Sequence, residues 1–172
     1  TVNAGALPGD HWTRDPEVGG GRILGEACHF IDLMRYLAGA AIVSVQARGM
    51  GPTANGDGTE DNASVTLGFA DGSLGTVHYL ANGSSRFPKE RVDVFAAGGT
   101  LQLDNFRTLR GFGWPGFKRH RLWHQDKGQR ACAAVFLKAM QDGAESPIPA
   151  DQLFEVSRAT IEAAQQLRTQ QG

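Results

Sequence analysis

Three features of the sequence predict an α+β fold, an open and mostly antiparallel sheet with helices packed on one face. Apolar residues recur at helical spacing near the start, the period falls to two between about residues 41 and 103, and helical spacing returns in the last third. That order is helix, strands, helices, without the βαβ alternation of a parallel sheet.

A loop-like start (Leu7-Pro8-Gly9-Asp10) and Gly19-Gly20-Gly21 lead into a predicted helix from Ile23 to Ala38, with Ile23, Ala27, Phe30, Met34 and Leu37 on one side. Gly39 suits its C-terminal stop, and Arg35 places a cation at the negative end of the dipole. Strands follow at Ile42/Val43, Val65-Leu67-Phe69, Val77-Tyr79 and Val92-Val94, separated by Asn55-Gly56, Asp57-Gly58, Asp71-Gly72, Asn82-Gly83 and Gly98-Gly99. Those pairs tolerate the positive φ of tight hairpins, so consecutive strands should be antiparallel neighbours. Two further strands, Phe106 to Phe112 and Phe117 to His124, flank Gly113-Trp114-Pro115-Gly116. Of the closing helices, the first takes Asp126 as N-cap with Gln129 three residues on, an apolar stripe through Cys132, Val135, Phe136, Ala139 and Met140, and Gly143 as its stop. The second has Pro149 in its first turn and Leu153, Val156, Thr160, Ala164 and Leu167 on one side.

The 172 residues suit one domain spanning 1–172, large enough for a core without disulfide or metal staples. With 17 Lys+Arg against 18 Asp+Glu, bulk positive charge does not attract a polyanion, and no nucleic-acid partner is expected. Cys28 and Cys132 lie far apart with no CxxC spacing, which reads as reduced thiols in a cytoplasmic protein. No apolar run is long enough for a bilayer, no cleavable leader opens the chain, and the start at Thr1 without Met suggests a fragment or a processed chain. A one-layer sheet covered on one face needs cover on the other, so a homo-oligomer, dimer or tetramer, is expected through the open face.

The densest chemistry runs from Gly19 to Asp32. At about 100° per residue, Glu26, His29 and Asp32 share one helix flank. A neighbouring carboxylate can orient one imidazole nitrogen while the other faces a substrate hydroxyl, which is the arrangement proton transfer needs. The same residues also fit a helical His bonded to a carbonyl between two solvated carboxylates. The glycines permit close backbone approach and offer free N–H groups at a helix start, or serve as plain turn chemistry. Glu26-x-x-His29 is also a carboxylate-bridge spacing, but the later helices supply Asp142, Glu145, Asp151, Glu155 and Glu162 and no His, which leaves a metal-dependent hydrolase as the lesser reading.

The stretch Asn3-Ala4-Gly5 to His11-Trp12, then Gly19-Gly20-Gly21-Arg22 and Gly25-Glu26-Ala27-Cys28-His29-Phe30-Ile31-Asp32-Leu33, resembles the C-terminal domain of the glucose-fructose oxidoreductase / inositol dehydrogenase / MocA (Gfo/Idh/MocA) family. The Gly98 to Leu103 hairpin and the last two helices fall where that family has them. The resemblance implies the substrate-binding half of a two-domain oxidoreductase acting on a secondary alcohol of a sugar, sugar-nucleotide or polyol. NAD or NADP would be bound mainly by an N-terminal Rossmann domain that this chain lacks, and the fragment alone would be inactive. It implies His29 as the catalytic residue, assisted by Glu26. The family Asp four residues before that His is Gly25 here, with Glu26 three before, and Asp32 matches an acidic position just after the His. The family's catalytic Lys, in a Glu-Lys-Pro motif, is absent, as that motif belongs to the nucleotide-binding half.

The nearest dinucleotide fingerprint, Gly49-Met50-Gly51-Pro52-Thr53-Ala54, leads into Asn55-Gly56-Asp57-Gly58 and reads as a hairpin loop, so no cofactor residue is assigned in this chain. His11 and Trp12 offer an imidazole beside a flat aromatic, suited to a sugar or polyol, or a plug under a loop. With Gly20, Gly21, Arg22 and Asp32 they make up the expected substrate-binding set. Seven basic residues from Arg107 to Arg130 are interleaved with Phe112, Trp114, Phe117 and Trp123, which fits solvated strand faces, a nucleotide-sugar diphosphate or a single-stranded nucleic acid. The rival from another class is a non-catalytic carbohydrate-binding or dimerisation module in which the His29 helix only packs on the sheet.

Overall fold

The computed structural model describes residues 1–15, 17–50 and 61–170. The chain forms two compact units, one of residues 4–83 and 148–172 and one of residues 1–3 and 84–147. The class is α+β, with antiparallel sheets and, among the described residues, three α-helices. No helix among the described residues is long and apolar enough to cross a membrane.

In the unit of residues 4–83 and 148–172, α1 (Cys28–Ala38) and α3 (Ala150–Thr169) accompany β2 (Ile42–Gly49), β3 (Asn62–Phe69) and β4 (Leu74–Leu80). The strands lie antiparallel in the order β4-β3-β2, with Val45 opposite Leu67 and Val65 opposite Val77. Alternation sends Val45, Ala47, Val65, Leu67, Val77 and Tyr79 into a core completed by Ile23, Ala27 and Ile31 and by Val156, Ala159, Ala163, Ala164 and Leu167 of α3. Small alanines on α3 let the helix lie close to the sheet. Of the stripe predicted for this helix, Val156, Thr160, Ala164 and Leu167 are buried and Leu153 is exposed.

The helix-free face of this sheet presents polar residues, including Gln46, Arg48 and hydrogen-bonded pairs between Ser64 and His78 (2.7 Å) and between Thr66 and Thr76 (3.2 Å). Leu74, 73% exposed, shares that face.

The free edge of β2 is occupied by side chains of α3. Gln166 accepts from the Ala47 N–H (2.7 Å) and donates to the Val45 carbonyl (2.9 Å), and Gln170 accepts from the Gly49 N–H (3.3 Å) and donates to the Ala47 carbonyl (2.7 Å). Two amides one helical turn apart thus reproduce part of a strand's ladder. At the other end of β2, Glu155 accepts from the Ile42 N–H (2.5 Å) and from Arg35 Nε (2.9 Å), so Arg35 meets a carboxylate as well as the helix dipole.

In the other unit, β1 (Val2–Asn3) bridges Glu90, and β5 (Arg91–Ala96), β6 (Gly99–Asp104), β7 (Thr108–Phe112) and β8 (Arg119–Arg121) form an antiparallel sheet in chain order. One face carries a polar ladder in which Asp93 accepts from Arg91 and Gln102, and Arg110 donates to Gln102 and Asp104. Two turn assignments and two helix starts move. The β5–β6 turn is centred on Ala97 (φ 49°) and Gly98 (φ 76°), one residue before the expected pair, since Ala96 pairs with Gly99. Asn105 and Phe106 both take positive φ (51° and 49°) in the β6–β7 turn, so Phe106 is not a strand start. Helix α2 (Gln129–Asp142) begins after Gly128 at the N-cap position, and Asp126 accepts from the Gly128 N–H (2.8 Å) instead of capping the helix itself. Pro149, likewise, stands at the N-cap of α3, one residue before the first turn. The Asn55-Gly56 and Asp57-Gly58 turns, and residues 51–54 of the glycine run, lie outside the described residues.

Candidate active site

The predicted helix from Ile23 to Ala38 is present, but its first turn is wide. Residues Ile23–Ala27 form a π-helical turn in which the Cys28 N–H reaches the Ile23 carbonyl five residues back, and regular α-helix starts at Cys28. Such insertions concentrate at functional sites. Here the extra residue changes the rotation between Glu26 and His29 from that of a continuous α-helix.

The glycines before it set the backbone path. Gly20 (φ 69°) and Gly21 (φ 90°) occupy the left-handed region, and at Gly19 a Cβ would sit 2.4 Å from the Trp12 carbonyl oxygen. Their N–H groups are not free, which corrects the expectation of open donors at a helix start. Gly19 and Gly20 donate to the Asp15 carbonyl (2.9 Å each) and Gly21 to the Thr13 carbonyl (3.0 Å), folding the short helical turn Trp12–Arg14 against the start of the helix. With those donors consumed, this turn does not fit a dinucleotide pyrophosphate.

Arg22 follows the glycines and is 2% exposed. Its Nε donates to Glu26 (3.2 Å), its terminal nitrogens donate to the carbonyls of Gly5 (2.7 Å) and Ala4 (3.4 Å), and its guanidinium lies 5.3 Å from the centre of the Tyr79 ring. The Tyr79 hydroxyl stands beside the Glu26 carboxylate and the Arg22 guanidinium without a well-formed hydrogen bond to either, and burial followed by the Glu26 carboxylate holds the phenol far above its ordinary pKa. A buried cation is tolerable only with a counter-charge and filled donors. Sequence reading placed Arg22 among ligand-facing residues; the structure puts it beneath the surface, joining the N-terminal segment, the sheet and the helix. Tyr79, read from the sequence only as a strand residue, is a member of this cluster that a 57-residue separation concealed.

Above the cluster, Glu26 is one-third exposed, while His29 and Asp32 are exposed on α1. Cys28, between them, is half-buried; burial raises its thiol pKa, and the charges of Asp32 and Glu26 add to the effect. The His11 and Trp12 rings stack at 6.0 Å and 30°, with Trp12 62% exposed. His11 Nδ1 accepts from the Thr13 N–H (3.4 Å) and meets the Thr13 hydroxyl (2.8 Å), which leaves Nε2 as the outward nitrogen. Among the described residues, no group of three or more His, Cys, Asp or Glu could hold a metal ion. Of the basic stretch, Arg110 is tied into the polar ladder, Arg107 bonds the Leu122 carbonyl, and Lys127 pairs with Glu90, so these serve the sheet's own structure.

The arrangement defines an α+β domain that exposes a helical imidazole, with a carboxylate anchored by Arg22 in the turn before it. A family model described as the GFO/IDH/MocA C-terminal domain matches residues 2–102, more than half of the chain, and the chain belongs to that family. A curated relative, the uncharacterized oxidoreductase YrbE of Bacillus subtilis (strain 168), is 28% identical over 55% of this chain and 31% of its own length. Among solved structures, levoglucosan dehydrogenase in complex with NADH and levoglucosan superposes with a TM-score of 0.67 at 23% identity, covering 90% of this chain and 51% of that one. The UDP-N-acetylglucosamine 3-dehydrogenase GnnA of Acidithiobacillus ferrooxidans gives 0.61 at 17% identity, covering 81% and 45%. The chain therefore spans about a third of the curated relative's length and about half the length of these structures.

Proposed function

We propose that this chain is the substrate-binding half of an NAD(P)-dependent oxidoreductase acting on a secondary alcohol of a sugar, sugar-nucleotide or polyol. The observation that carries the reading is the exposed His29 imidazole on the helix behind the glycine turn, three residues after Glu26, whose carboxylate accepts from the buried Arg22. The levoglucosan and UDP-N-acetylglucosamine dehydrogenases support the substrate class. A nicotinamide, bound by a separate nucleotide-binding half, supplies the hydride acceptor.

The residues present here handle substrate and proton. His29 takes the hydroxyl proton as the alcohol is oxidised and returns it in the reverse direction. Glu26, held by the Arg22 Nε bond, supplies the carboxylate that assists His29. Trp12 and the outward nitrogen of His11 offer a stacking face and a hydrogen bond to a sugar ring, and Asp32 an acceptor for ring hydroxyls. Gly20, Gly21 and Arg22 act from below, fixing the loop and the wide turn.

The test joins this chain to the nucleotide-binding half and follows nicotinamide absorbance over a panel of sugars, sugar-nucleotides and polyols. His29→Ala should lower kcat by about 10²–10⁴-fold, the usual contribution of a general base, while cofactor affinity is retained. Undiminished turnover in that variant refutes the assignment.

A further inference from the structure

Helix α2 has no buried residue, although Cys132, Val135, Phe136, Ala139 and Met140 form one apolar stripe along it. Val135, Phe136 and Met140 are 54%, 53% and 65% exposed. Its ion pair, Lys138 with Asp142 at 2.7 Å, is a local i,i+4 contact. A helix of 14 residues is marginal in water without an amphipathic face packed on something else. The stripe therefore implies a covering surface.

Two occupants fit an apolar helix face, a second copy and another part of the same polypeptide. An α2–α2 pairing is limited by length. At about 1.5 Å per residue the helix is about 21 Å long and about 10 Å across, so the pair would bury a few hundred Å², short of the roughly 1,000 Å² of a stable interface. The other occupant has support in the comparisons. The matched family model is a C-terminal domain, and this chain spans 31% to 51% of the relatives' lengths, so about half or more of each of those proteins lies outside the matched part.

We propose that α2 is the element on which the nucleotide-binding half docks, its stripe from Cys132 to Met140 seated in an apolar groove of that half. The identity of the occupant rests on the function proposed above; the need for one rests on the exposed stripe alone. Cys132, on the stripe, reports the contact directly.

The experiment uses the polypeptide carrying both halves and measures iodoacetamide labelling of Cys132 by peptide mass spectrometry. A docked α2 should label about tenfold or more slowly than in a Phe136→Ser/Met140→Ser variant, whose exposed substitutions spare the core. Labelling of the unsubstituted protein at the rate of the urea-unfolded chain overturns the proposal. Protection that rises with protein concentration also overturns it, because a second copy would then be the cover. Turnover is assayed separately, so protected Cys132 with no alcohol oxidised sinks the functional reading and leaves the docking intact.

Discussion

Replacing Arg22 with alanine tests the buried cluster at its centre. The change removes a charge-assisted bond to Glu26, two bonds to the carbonyls of Ala4 and Gly5 and a cation–π contact with Tyr79. Breaking a buried ion pair costs about 3–5 kcal/mol; because Glu26 is one-third exposed and can rehydrate, the lower end applies, about 3 kcal/mol. With a urea m-value of about 2 kcal/mol/M, the midpoint should fall by about 1.5 M, read by far-UV circular dichroism. Arg22→Lys should recover less than half of the loss, since a point ammonium cannot serve Glu26, Gly5 and the ring together. A midpoint within about 0.25 M of the parent for Arg22→Ala would refute the view that this cation holds the N-terminal segment, helix and sheet together.

Three other changes probe separate features. Gln166→Ala removes both bonds from its amide to β2 and should cost about 1–2 kcal/mol in urea unfolding, with faster exchange of the Ala47 amide proton. Gly19→Ala puts a Cβ against the Trp12 carbonyl and should cost a few kcal/mol, detectable as a lowered Tm; an unchanged Tm would mean the turn repacks freely. The Asp71 carboxylate accepts from the Ser73 N–H and hydroxyl, which hold its pKa below the ordinary 3.8. Its contribution is therefore present above the unfolded-state pKa and lost as pH falls through the lower folded value, and a carboxyl NMR titration should place its midpoint below 3.8.

Much of the fold is legible because its signals are local. Gly39 ends α1 in the left-handed conformation (φ 66°), Gly143 ends α2 likewise (φ 61°), and two-residue alternation marks β2 to β5. Where the sequence misleads, the deciding partner is distant or the backbone does something rare. Arg22 reads as a ligand-facing residue after a glycine run because its carbonyl partners lie 17 and 18 residues back and its aromatic partner 57 ahead. The wide turn at Ile23–Ala27 leaves the apolar spacing intact, so periodicity cannot reveal it. Phe106 at positive φ defies its β-propensity because the Asn105 N–H beside it donates to the Glu90 carbonyl (2.7 Å), fixing the turn from the residue before β5. His29, by contrast, is exposed on the helix where the motif puts it, because the apolar residues around it leave that flank to solvent.

The amides of Gln166 and Gln170 also have a bearing on assembly. A bare strand margin is a template on which neighbouring chains add without limit, and here the last turns of α3 lie across it like a clasp. Trimming the C-terminus by a single helical turn would remove Gln170 and leave Gln166 on a fraying end. The consequence is a strand margin opened to edge-to-edge self-association by the loss of Gln170, whose amide makes two bonds to β2.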